Sequence, residues 1–272
     1  MHQNVARHAL SPLNFHHSEI TPTLRLSGQL LDTYIAAPII NAELLSQLQF
    51  NLRDQLTHGA VPAAQPGDDA IRRRALEVFL RIIQSVKGQL REFERLHSDT
   101  PFGAWPEAER ENVKRVVRVL DHAAKELYFA SGAYDNRRQT RRPGQEDLTT
   151  DQRRRFFEES GPILDALSDS GQPSIAHHLL QTLESFVSFD PRAVFLSARN
   201  VVRAGVSGGY QFEQMAADLV VRLVERYLAE HRELLQDDPE CRQALIELLD
   251  TFVRAGWPAA RQLTYRLEDI FR

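Results

Sequence analysis

The sequence predicts an all-α fold, and three observations carry that prediction. Apolar residues recur at helical spacing through most of the chain, helix starts and stops are marked by Pro and Gly at fitting positions, and 13 Gly with 13 Pro in 272 residues leave little room for the many turns of an all-β protein. Residues 1–20 are polar and His-rich and are expected to be poorly ordered or to lie against the body as a loop. Thr21 and Pro22 read as an N-cap and first helical position, and Leu24, Leu26, Leu30, Leu31 and Tyr34 supply an apolar face up to the break at Pro38. Asn41 can cap the next helix, with Leu44, Leu45, Leu48 and Leu52 on one stripe. After the polar loop "HGAVPAAQPGDD", Ile71, Ala75, Val78, Phe79, Ile82 and Ile83 keep the i, i+4, i+7, i+8 pattern of a long helix running past Gly88 to about Leu96. A second long helix opens at Pro106, with Glu107, Glu109 and Glu111 where carboxylates suit the helix dipole, and with a stripe of Val113, Val116, Val117, Leu120, Ala124 and Leu127. Residues 21–130 therefore form a helical region of about four helices. The stretch "SGAYDNRRQTRRPGQEDL" has no apolar period, so residues 131–149 read as an Arg-rich loop or linker.

Beyond the linker the chain repeats itself. "LDALSDSGQPSIAHHLLQTLESF" from Leu164 aligns with "LDTFVRAGWPAARQLTYRLEDIF" from Leu249, matching the Leu-Asp pair, the Gly and the Pro two residues later. Val202-Arg203-Ala204-Gly205 recurs as Val253-Arg254-Ala255-Gly256, so glycine corners are expected at 171, 205 and 256, spaced like the units of helical repeat proteins. Asp190-Pro191 and Asp238-Pro239 each offer a capping carboxylate and a first-turn proline for the helix that leads into a Val-Arg-Ala-Gly stretch. Phe212, Met215, Ala216, Leu219, Leu223 and Tyr227 line one helix between corners, and Cys241, Ala244, Leu245, Leu248, Leu249 and Phe252 another. One such pair cannot cover its own apolar faces, so stacking is required. On these residues the segment 150–272 resembles HEAT-like α-solenoid repeats. The resemblance implies antiparallel helix pairs in a curved stack, used as a scaffold or binding surface. Arg272 comes directly after the apolar run Leu263–Phe271 with no polar cap, which predicts further protein or a partner subunit over that end.

Composition narrows the function classes. A single cysteine, Cys241, excludes an internal disulfide and a thiolate zinc site and fits a reducing compartment, so a cytoplasmic location is expected. No run approaches the ~20 apolar residues of a membrane span, and the first residues carry no signal-peptide core. The net charge of −4 gives no whole-chain basic field. Lys stands at 87, 114 and 125 alone, the other basic residues being Arg, a chain-wide preference that points to a GC-rich, bacterial genome.

Four motifs invite chemistry. Gly205-Val206-Ser207-Gly208-Gly209 fits G-x-S-x-G, but a nucleophile elbow needs a strand before the serine, and "PRAVFLSARNVV" reads as helix after an Asp-Pro cap. Arg137, Arg138, Arg141 and Arg142 in the linker, with Arg153, Arg154 and Arg155 opening the next helix, form a set of guanidinium forks suited to phosphates. Asp135, Glu146, Asp147, Asp151, Glu158 and Glu159 are interspersed, which favours a self-paired, solvated segment. Adjacent His16-His17 and His177-His178 diverge and match no metal spacing, while His122 and Glu126, one turn apart, suggest a surface hydrogen bond. Trp105 and Trp257 precede prolines at helix starts and read as packing residues. These readings require no catalytic, cofactor or metal site. The expected function is a non-catalytic protein–protein interaction scaffold or adaptor module, the helical portion of a larger bacterial assembly or multidomain protein, docking through helices after Gly171, Gly205 and Gly256. The alternative is nucleic-acid or nucleotide-phosphate binding through the Arg-rich segment 137–155.

Overall fold

A computed structural model describes residues 6, 8–10, 22–58, 68–133, 150–170, 172–207 and 214–265. The described residues form helices and no strand: α1 (Pro22–Ile35), α2 (Ala42–His58), α3 (Asp68–Leu96), α4 (Glu107–Ala130), α5 (Thr150–Ser168), α6 (Pro173–Glu184), α7 (Pro191–Ser207), α8 (Gln214–Glu230), α9 (Arg232–Asp237), α10 (Pro239–Arg254) and α11 (Pro258–Tyr265), with a 3-10 turn at Phe102–Ala104. None of these helices is long and apolar enough to cross a membrane. The chain divides into two compact units, Met1–Ala166 and Leu167–Arg272, and the division falls inside α5. Of the segment expected to be poorly ordered, residues 6 and 8–10 are helical, Ala6 and Leu10 are buried, and the Ser27 hydroxyl donates to the Ala9 carbonyl at 2.8 Å. The remainder of residues 1–20, and the Arg-rich segment from 134 to 149, lie outside the described residues.

In the first unit α2, α3 and α4 pack pairwise around one core, with α1 laid on α3. Leu45, Leu52 and Leu56 of α2, Phe79, Ile82, Ile83 and Val86 of α3, and Val116, Val119, Leu120 and Leu127 of α4 are fully buried there. Removing each such side chain from water contributes about 1.5–3 kcal/mol. The buried stripe of α4 is wider than the apolar period suggests: Val117 is half-buried, whereas Val119, Ala123 and the polar Asn112 and Glu126 are buried. A helix gripped on two sides hides more than one stripe.

Bonds fix the helix directions. Asn41 caps α2 by accepting from the Leu44 amide at 3.1 Å. Ser85 and Gln89 of α3 donate to the Ile35 carbonyl at 3.0 and 2.9 Å, and Gln89 also reaches Ala37 at 3.2 Å, so α3 holds the end of α1. His97, just past α3, contacts Glu109 in the first turn of α4. Its ring stacks on Trp105 at 4.4 Å, and the Trp105 indole donates to the Thr100 carbonyl at 2.8 Å.

The second unit has α6 against α7 and α8, α7 against α10, and α10 against α9 and α11. Asp190 and Asp238 cap their helices as the Asp-Pro pairs suggest, accepting from the amides of Ala193 at 2.9 Å and of Glu240 and Cys241 at 2.8 and 3.1 Å. Arg192 bridges α7 to Asp238 and Glu240 at 2.6 Å each, and Arg203 to Glu247 at 2.5 Å. The Tyr227 hydroxyl of α8, buried with its ring 4.4 Å from Phe195, donates to the Pro191 carbonyl at 2.5 Å.

The two Val-Arg-Ala-Gly stretches behave differently. At the second, Gly256 takes φ +83°, its amide bonds the Val253 carbonyl at 3.0 Å, and the Trp257 amide bonds Phe252 at 3.0 Å, a Schellman stop. At the first there is no corner at Gly205, because α7 continues through it to Ser207. The difference lies in the residues C-terminal to each glycine. Pro258 forces Trp257 out of the helical region, whereas Val206 and Ser207 after Gly205 accept helical torsions. The third predicted corner, Gly171, lies outside the described residues.

A prediction separates the two glycine roles. Gly88 lies inside α3 with nothing within 4 Å of a built Cβ, so Gly88→Ala should stabilise the protein by about 0.5–1 kcal/mol. Gly256→Ala, at a left-handed torsion, should destabilise it by about 1–2 kcal/mol. Denaturant midpoints of the two variants will move in opposite directions.

Candidate functional site

The site begins with one buried amide. Asn112, in the second turn of α4, donates from Nδ2 to the Pro38 carbonyl at 2.7 Å and accepts at Oδ1 from the Ile40 amide at 3.1 Å. A side-chain amide offering donor and acceptor together satisfies the backbone on both sides of one residue. The residue between them is Ile39, 64% exposed, while Ile40 is buried. Pro38 restricts the chain further. An aliphatic side chain is thus held out to solvent on a loop fixed from α3 and from α4.

Two turns and more along α2, Arg53 donates to Glu126 of α4 at 3.2 Å. Its guanidinium lies 4.6 Å from the Phe50 ring centroid and 5.8 Å from that of Phe129. Phe50 is 44% exposed. The two bridges, Ile40 to Asn112 and Arg53 to Glu126, advance in the same sense along both helices, so α2 and α4 run parallel. That register places Gln49 level with His122. Ser46, Gln49 and Arg53 share one face of α2, and His122 and Glu126 one face of α4, since residues four and seven apart stack on a helix.

This seam between two helices is polar. Gln49 is fully buried, yet its amide nitrogen and oxygen find no hydrogen-bond partner among the described residues, nor do Ser46 Oγ and His122 Nδ1. Each such group costs about 1–3 kcal/mol when left without a partner. His122 Nε2 stands 3.6 Å from Glu126, too long for the surface hydrogen bond expected from the sequence, and Glu126 is buried and committed to Arg53. Burial first, then the charges of Lys125 and Arg53 against the opposing pull of Asp121, hold the His122 imidazole below its ordinary pKa of 6.5. Along the solvent side of α4, Arg115, Arg118 and Lys125 are exposed.

The other sequence candidates fall elsewhere. Val194 to Val202 is helix within α7, so the strand-to-helix elbow that would activate Ser207 is not formed. Arg155 donates to Glu159 at 3.0 Å, Glu159 also accepts from the buried Arg72 at 2.7 Å, and Arg154 lies 3.7 Å from Asp151. Arg153 is half-buried. Arg137, Arg138, Arg141 and Arg142 lie outside the described residues. Among the described residues no group of three or more His, Cys, Asp or Glu is placed to hold a metal ion. An open concavity of about 720 Å³ beside α9 and the start of α10 is lined by Arg192, Glu233, Asp237, Asp238 and Glu240, and Arg192 already bridges two of its carboxylates. Among the described residues large exposed apolar side chains stand on both units: Leu26, Ile39, Phe50, Leu96 and Phe102 on the first, and Ile246 and Tyr265 on the second, Tyr265 lying on α11 after Gly256. Sequence reasoning missed Asn112, Gln49 and the Arg53–Glu126 pair. Their available signal was polar residues sitting at core-facing positions of otherwise apolar stripes. Compared with known proteins, the chain matches no family model, no curated protein and no solved structure.

Two measurements probe the seam. Gln49→Met removes a buried amide with no partner while keeping its length, and is expected to raise the denaturation midpoint, the gain being on the order of 1 kcal/mol. A lowered midpoint would show that the amide is satisfied. For His122, the folded state resists protonation more than the unfolded chain does, so stability is lost as pH falls through 6.5. Thermal midpoints between pH 7 and pH 5 should fall less steeply in His122→Gln than in the parent, and an imidazole titration by NMR should place His122 below the ordinary value.

Proposed function

We propose that this protein is a non-catalytic protein–protein interaction module that docks through the α2/α4 face of its first unit. The observation that carries the reading is the Asn112 clamp. An isoleucine exposed on a freely moving loop needs no explanation, whereas one fixed from both sides by a buried amide is presented at no further ordering cost to a partner. Phe50, with Arg53 over its face, adds the aromatic and guanidinium character typical of interface centres.

The second unit is read as the supporting stack, with α6 and α8 in one row and α7 and α10 in the other. Pairings of α6 with α7, α6 with α8, α7 with α10 and α10 with α11 support that reading, since stacked helix pairs touch along rows and within pairs. It stands on contact pattern and on the internal repeat, at the level of a HEAT-like arrangement. Phosphate binding through residues 137–155 has weaker support, because Arg154 and Arg155 already face Asp151 and Glu159.

Site-specific photocrosslinking tests the reading. With p-benzoylphenylalanine at position 39 or 50, protein expressed in its source organism is expected to give one discrete heavier adduct, and with the same group at the exposed Tyr265 to give none. A smear of adducts, or equal adducts at all three positions, would contradict a docking face on α2 and α4.

A further inference from the structure

We infer that the partner docking on this face is acidic and amphipathic, its carboxylates lying along a basic stripe of α4 made by Arg115, Arg118 and Lys125, with His122 among them. The inference rests on the docking reading above and names the partner's chemistry. The four residues are spaced i, i+3, i+7 and i+10, which keeps them on one side of a helix over roughly 15 Å.

What distinguishes this stripe is that its cations close no direct ion pair among the described residues, although Glu111 and Asp121 lie within electrostatic reach of it. Exposed basic residues elsewhere in the chain are commonly paired: Arg81 with Asp32, Arg95 with Glu92, Lys114 with Glu111, Arg192 with Asp238 and Glu240, Arg203 with Glu247, Arg226 with Glu230, and Arg254 with Asp250. Arg115, Arg118 and Lys125 form no ion pair among the described residues. Carboxylates are not scarce, since the chain has 37 acidic against 33 basic residues. The acids nearest the stripe are otherwise engaged or peripheral. Glu111 is held by Lys114 at 2.6 Å, Glu126 is buried under Arg53, and Asp121 sits at the edge of the stripe. At His122 the charges of Lys125 and Arg53 act against that of Asp121.

Charge alone would suit any polyanion. The neighbouring side chains favour protein, because Ile39 is exposed on the loop that Asn112 of α4 holds and Phe50 beside the Arg53 that bridges to α4, and a phosphodiester backbone gives an aliphatic side chain nothing to pack against. An acidic amphipathic helix uses both features, setting its apolar residues on Ile39 and Phe50 and its carboxylates on the stripe. Such pairing steers association and fixes register more than it adds affinity, so it will be sensitive to salt.

The test uses the full chain, with fluorescence anisotropy of a labelled peptide of about 18 residues bearing leucine on one helical face and glutamate on the other. In parallel, a labelled single-stranded oligonucleotide of similar length is titrated. The peptide is expected to bind, to weaken as salt is raised, and to lose about tenfold or more in affinity in the double variant Arg115→Glu, Arg118→Glu. Arg261→Glu, an exposed charge in the second unit, should change affinity less than about twofold. Bound peptide should also raise the His122 titration midpoint while the amides of α3 stay protected, which separates this rise from the one that unfolding would give. Absence of peptide binding, binding indifferent to the double reversal, or tighter binding of the oligonucleotide that the reversal abolishes would overturn the inference. A position-39 adduct that persists in the double-reversal variant would leave the docking reading standing and remove only the acidic partner.

Discussion

The first unit is organised by a side chain that acts as backbone. Asn112 closes on the Pro38 carbonyl and the Ile40 amide, groups that a loop between two helices would otherwise leave unpaired in a buried position. With Ser85 and Gln89 holding the last carbonyls of α1, the connection to α2 becomes a fixed part of the bundle. The parallel register of α2 and α4 shows in the spacing of the two bridges, since the separation from Ile40 to Asn112 is 72 residues and that from Arg53 to Glu126 is 73. The exposure of Ile39 on that loop and of Phe50 beside Arg53 goes with that register.

The same register brings polar groups together where a bundle gains most from apolar ones. Ser46, Gln49 and His122 occupy positions that Leu or Ile would fill at lower cost. Arg53 and Glu126 form a partly buried ion pair, a poor source of stability compared with apolar packing but a specific one, because it tolerates a single alignment of the two helices. We read the seam as stability given up beneath the proposed docking face, in keeping with the tendency of functional surfaces to carry groups that the fold alone would not select.

Much of the fold is legible in the residues alone. The spacing of Leu44, Leu45, Leu48 and Leu52, of Ile71 through Ile83, and the Asp-Pro caps located their helices because periodicity and capping are local. Gly256 stopped its helix as its flanking Pro258 demanded, whereas the identical tetrapeptide ending at Gly205 did not, since a helix stop depends on the residues after the glycine as much as on the glycine. The short helix α9 and the 3-10 turn carry too few residues for a period to show. The candidate site was hidden for a different reason. Asn112 and Ile40 are 72 residues apart, and Arg53 and Glu126 are 73 apart, so nothing local to either residue announces its partner. The arginines that did stand out in sequence, Arg154 and Arg155, face carboxylates within their own helix.

The central claim is that Asn112 holds the loop of Ile39 rigid, and amide hydrogen exchange at Ile40 addresses it most directly. The account gives a protected Ile40 amide in the parent, exchanging far more slowly than an exposed loop amide, and loss of that protection in Asn112→Ala while amides in the middle of α3 stay protected. An Ile40 amide that exchanges at the rate of an open chain in the parent, or one that keeps its protection when Asn112 is removed, would contradict it.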